Sequence, residues 1–104
     1  MINTLINALN KTIENDGGRE WMTGSVIQAY NKPIWYVTFL TSCGGTILLE
    51  VIWRDGGIVG SLLDRHKLSD KRVAKTLDFF LENVDWVADH PPAYDYVDMP
   101  PLVN

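Results

Sequence analysis

Basic residues stop at Lys75. From Thr76 to Asn104 the chain has six acids, Asp78, Glu82, Asp85, Asp89, Asp95 and Asp98, and not one Lys or Arg. The first 75 residues hold all nine basic side chains against seven acids, so the net charge of −4 conceals a split of roughly +2 and −6. Such asymmetry points to a basic partner. It argues against direct binding of DNA or RNA, which needs clustered Lys and Arg.

Other shortages narrow the reading. A single cysteine, Cys43, rules out an intramolecular disulfide, and a reducing cytoplasm is the expected home. No basic stretch followed by an apolar one opens the chain, so no secretory signal is expected. No apolar run approaches the roughly 20 residues of a membrane helix, so no membrane partner is expected. Cys43, His66 and His90 match no metal-ligand spacing. Neither histidine is placed by the sequence to act as a base for Cys43, which reads as a free loop thiol. Gly56-Gly57-Ile58-Val59-Gly60 lacks the Lys-Ser/Thr of a phosphate loop. Carboxylates on a wet face lack the burial that tunes a general acid. No catalytic residue, cofactor or metal is assigned, and the chain does not read as an enzyme.

What remains is enough for a core. The 104 residues are 46% apolar, with four Trp, four Tyr and three Phe. That suits one domain with a generous aromatic load. Ile2, Leu5, Ile6, Leu9 and Ile13 recur at helical spacing, which predicts a helix over residues 3–15 capped by Asn3 or Thr4 and stopped by Asp16-Gly17-Gly18. Strand signals follow at Ser25–Tyr30, Ile34–Thr41, Thr46–Arg54 and Ile58–Leu62, parted by short turn-forming loops. Trp21, between helix and sheet, reads as a plug for one end of the core, with an exposed anchor as the alternative. Residues 69–88 predict a second helix, with Ser69 as N-cap and Val73, Leu77, Phe80, Leu81, Val84 and Val87 as its apolar face.

The expected fold is therefore α+β. A two-layer sandwich of an antiparallel meander of three to four strands is flanked by an N-terminal and a C-terminal helix, in the order α-β-β-β-β-α. Residues 1–90 form the domain, and 91–104, with four of the five prolines, form an extended tail. Within this order, α-β-β-β-α resembles double-stranded-RNA-binding domains, which use basic residues where Lys71, Arg72 and Lys75 stand. The acids that follow oppose such binding.

One sheet face, with Trp35, Val37, Phe39, Ile47, Leu49, Val51 and Trp53, should meet the helices. The other would carry Ile34, Tyr36, Leu40, Leu48 and Ile52, relieved by Thr38 and Glu50. That is more apolar than a solvated face normally is. The tail, a second copy or a heterologous partner is expected to cover it.

Asp78, Glu82, Asp85 and Asp89 recur at i, i+4, i+7 and i+11, one stripe on a helix, opposite the apolar face. Like charges at i,i+4 cost roughly 0.2–0.5 kcal/mol per pair. Acids near the C-terminus also oppose the helix dipole. The bland account is a solvated face. The functional account is a steering surface continued by Asp95 and Asp98, with Tyr94 and Tyr96 as anchors. On that account the chain is a small acidic, immunity-type or phage anti-defence-type inhibitor. It would cover a basic site of a nuclease, toxin or nucleic-acid-binding complex, as a mimic of the phosphate backbone or by simple charge complementarity. The alternative is a non-catalytic structural or adaptor subunit, a homodimer through the second sheet face.

Overall fold

The computed structural model describes residues 1–54 and 57–84. The elements are α1 (Ile2–Asn15), β1 (Met22–Gln28), β2 (Ile34–Thr41), β3 (Thr46–Arg54), β4 (Gly57–His66) and α2 (Asp70–Glu82). The four strands pair antiparallel in sequence order. This is the α-β-β-β-β-α arrangement that the periodicity predicts.

The registers explain how one face becomes the core. Phe39 pairs with Ile47, Val37 with Leu49 and Trp35 with Val51. Alternation then puts these six side chains on the same side, and all are buried. Leu5, Ala8, Leu9 and Ile13 of α1 and Val73 and Phe80 of α2 complete the cluster. Phe80 meets Phe39 edge to face, with ring centroids 5.7 Å apart. Two glycines record how closely the helices approach. A Cβ on Gly24 of β1 would lie 2.7 Å from Leu9 Cδ1, and one on Gly60 of β4 would lie 2.8 Å from Leu81 Cδ2. Both helices thus press on the same face of the sheet.

Local chemistry sets the element ends. Asp16 follows α1, and Gly17 and Gly18 take positive φ of 111° and 92°. The Gly18 N–H donates back to Ile13 O at 2.8 Å, closing the helix end. Ser69 caps α2 by accepting from the Arg72 N–H. At the β2–β3 tip Gly44 has φ 88°, a conformation glycine adopts without strain. There the Thr41 hydroxyl accepts from the Gly45 N–H at 2.8 Å.

Several expectations need correction. α1 is capped by Met1 with no side-chain hydrogen bond, not by Asn3 or Thr4. Its buried face is turned toward Thr4, Ala8 and Thr12, leaving Ile2 and Ile6 exposed. Small residues there let the helix approach its neighbours closely, and the Thr12 hydroxyl is satisfied by donating to Ala8 O. β1 starts earlier and stops earlier than Ser25–Tyr30, because it follows the edge that β2 offers, from Met22 opposite Thr41 to Gln28 opposite Trp35. The chain then turns through Asn31 at φ 57°. β4 runs on to His66, through a segment that reads as a polar loop. Backbone pairing with β3 sustains it as far as Thr46 opposite His66, with a register shift at Leu48/Leu49. α2 is assigned to Glu82, with Asn83 as C-cap, and positions 85–88 of the expected helix, Val87 among them, lie outside the described residues. Asn83 Nδ2 donates to Phe79 O at 2.8 Å, satisfying a carbonyl of the last turn.

Candidate interaction surface

α2 offers its outward face to solvent because Val73, Thr76 and Phe80 fix its inward one. Opposite them stand Lys71, Lys75, Asp78 and Glu82, all exposed. The spacing is again i, i+4, i+7 and i+11, so the four form a single stripe. Within the described residues this stripe is half basic and half acidic. Its Lys-first order was legible in the sequence, but the acid-only reading starts the stripe at Asp78. Of the expected partner-binding residues, the structure brings Asp78 and Glu82 together. Asp85, Asp89, Tyr94, Asp95, Tyr96 and Asp98 lie outside the described residues, as does the tail expected to cover the second sheet face.

Neighbouring charges are already satisfied. Arg65 of β4 pairs with Asp70 in the first turn of α2, where an acid suits the helix dipole. Arg72 pairs with Asp16 at 2.5 Å. Among the described residues, no ion pair or side-chain hydrogen bond engages Lys71, Lys75, Asp78 or Glu82.

The sheet's second face is arranged in rows. Thr23, Leu40, Thr46 and His66 form one, and Ser25, Thr38, Leu48 and Asp64 the next. Ile27, Tyr36, Glu50 and Ser61 follow, and Ile34, Ile52 and Val59 close the face. The second row is the most polar, with Ser25 and Thr38 sharing a hydrogen bond of 2.6 Å. Exposed apolar residues stand in the other rows, where Leu40 is 51% exposed, Ile27 62% and Val59 48%. Beyond the first row a shallow groove runs between the Arg19–Thr23 segment and the Leu40–Ser42 segment. Trp21 lines it and is 57% exposed, so it does not plug the core as expected. Met22, the next residue, takes the buried place instead.

Cys43 is exposed at the β2–β3 tip, as a loop thiol should be. Its Sγ lies 3.2 Å from Thr41 Oγ1. The hydrogen bond shared with that hydroxyl, then one from the Gly45 backbone, holds the thiol pKa below its ordinary value, and the Arg72 charge adds to the effect. The sequence gives no sign of the Thr41 contact, since it depends on the fold of the tip. Among the described residues, no group of three or more His, Cys, Asp or Glu side chains is placed to hold a metal ion. No helix among them is long and apolar enough to cross a membrane. No protein-family model matches this chain, and no curated protein or solved structure matches it.

Proposed function

We propose that this protein is a small non-catalytic inhibitor of the immunity or phage anti-defence type. It covers a basic site of a nuclease, toxin or nucleic-acid-binding complex. The observation that carries this reading is the placement of Asp78 and Glu82. They are exposed on the last turns of α2, within the stretch from Thr76 onward that holds six acids and no base. Two exposed carboxylates on one helix face, followed by further acids in the sequence, suit electrostatic steering onto a cationic surface. Such a complex would occupy about 800 Å² on each partner.

A pull-down from bacterial lysate, read by mass spectrometry, tests this. Wild type is compared with Asp78→Lys/Glu82→Lys and with Glu14→Lys/Glu20→Lys, which makes the same change in net charge at exposed positions on and after α1. A nucleic-acid-handling protein or toxin recovered by wild type and the control, but not by the α2 variant, is the expected result. Equal recovery by all three would sink the reading.

The second reading, an adaptor subunit that dimerises through the open sheet face, is favoured by the exposure of Ile27, Leu40 and Val59. It predicts a dimer that Val59→Lys abolishes and that added salt does not weaken.

A further inference from the structure

The charge stripe on α2 is antisymmetric. Reading along the helix, Lys71 and Lys75 are mirrored by Asp78 and Glu82 about a point between Thr76 and Leu77. We infer that this face is built to pair with a second copy of itself. Two α2 helices, antiparallel about a two-fold axis, set Lys71 against the Glu82 of the other copy and Lys75 against its Asp78. The contact is isologous, so each pair occurs twice.

Three features of the stripe that are unfavourable within one molecule become favourable in this pair. Lys71 and Lys75 are like charges at i,i+4, and so are Asp78 and Glu82. The antiparallel copy interleaves opposite charges between them. Lys71 stands near the N-terminus of α2 and Glu82 at its C-terminus, each at the end the helix dipole disfavours. In the pair, Lys71 sits beside the C-terminus of the other helix and Glu82 beside its N-terminus, the ends that favour them. The two dipoles themselves lie antiparallel, the positive end of each beside the negative end of the other. None of the four side chains has another described partner to lose. Ala74, exposed on one flank, and Phe79, half-buried on the other, add apolar contact beside the charges.

This inference does not rest on the inhibitor reading. If both hold, self-pairing hides Asp78 and Glu82, and a basic partner must displace the second copy.

Salt separates this interface from any other. Each copy carries a net charge of −4, so two copies repel overall, and added salt strengthens association through an uncharged face. Pairing through α2 is weakened instead. Sedimentation at millimolar protein is compared at about 10 mM and about 1 M NaCl, where screening lengths are about 30 Å and about 3 Å. The expected result is a dimer in low salt whose dissociation constant rises by at least about tenfold in high salt. In low salt, Lys71→Glu/Lys75→Glu and Asp78→Lys/Glu82→Lys should each be monomeric alone. Mixed in equal amounts they should form a heterodimer, and reversing all four charges together should restore the homodimer. Far-ultraviolet circular dichroism confirms that each variant is folded. A monomeric wild type in low salt overturns the inference. So does a dimer strengthened by salt, a dimer that survives both paired reversals, or failure of the two variants to pair with each other.

Discussion

Arg72 donates through Nη2 to the Asp16 carboxylate at 2.5 Å, tying the first turn of α2 to the residue that ends α1. Asp16 has a side chain only 12% exposed, so its charge needs this partner. The pair joins residues 56 apart in the sequence and fixes one helix against the other. Arg72→Met should destabilise the fold by about 1 kcal/mol, below the roughly 1.5–3 kcal/mol of a charged hydrogen bond because the guanidinium is partly in water. Adding Asp16→Asn should recover part of that loss. Urea denaturation of the two single variants and the double variant gives the coupling, and strictly additive losses would show that the pair contributes nothing.

Gly24 and Gly60 should respond differently to alanine. A Cβ on Gly24 meets Thr38 O at 2.6 Å as well as Leu9, and the backbone oxygen cannot move without distorting the β1–β2 ladder. Gly24→Ala should cost about 1–3 kcal/mol. At Gly60 the closest atoms are the ends of Leu81 and Leu49, which can rotate aside, so Gly60→Ala should cost less. Thermal melts of the two variants, run side by side, decide the order.

Phe80 is fully buried and packs on Phe39 across the helix–sheet boundary. Phe80→Ala removes that ring contact and leaves a cavity, for an expected loss of about 3–5 kcal/mol. Denaturant titration should show it as a lower midpoint with an unchanged slope.

Cys43 should alkylate faster at neutral pH than an ordinary thiol, because its lowered pKa leaves more thiolate. Rate rises with pH as the thiol deprotonates, so the midpoint of the rate–pH curve should lie below that of free cysteine. Thr41→Val should move the midpoint up, and Thr41→Ser, which keeps the hydroxyl, should leave it in place. Arg72→Met should also raise it, by less than Thr41→Val, since the Arg72 charge is the smaller cause. Identical curves for all four proteins would remove any role for the tip hydrogen bond.

Asp78→Lys/Glu82→Lys should not weaken the fold. Both positions are exposed, and Lys in the last turn suits the helix dipole. Read at protein concentrations too low for self-pairing, the melting temperature should hold or rise, by the equivalent of about 0.3–1 kcal/mol. A fall in melting temperature would mean that lost binding reflects unfolding instead of lost charge.

Much of the fold was legible from local pattern. β2 and β3 fall where their alternating residues put them, from Ile34 to Thr41 and from Thr46 to Arg54, because a strand buried on one face announces itself at every second position. Ser69 was legible as a cap because capping is satisfied within one turn. The candidate site was legible only as spacing: Lys71, Lys75, Asp78 and Glu82 must share a stripe on any α-helix.

Elsewhere the sequence by itself did not decide, because the deciding contact lies far along the chain. Trp21 and Met22 are adjacent apolar residues, and only the pairing of Met22 with Thr41 determines which of them is buried. Asp64, Arg65 and His66 look like a loop until β3 supplies the hydrogen bonds that keep them in β4. The Thr41 hydroxyl reaches Cys43 only once the tip is closed. Charge order, cap chemistry and hydrophobic period are properties of neighbours and were determined by the sequence. Which face of α1 turns inward, which end of β1 pairs, and which charges find a partner were decided by packing, where small residues such as Gly24, Ala8 and Gly60 set how closely the layers approach.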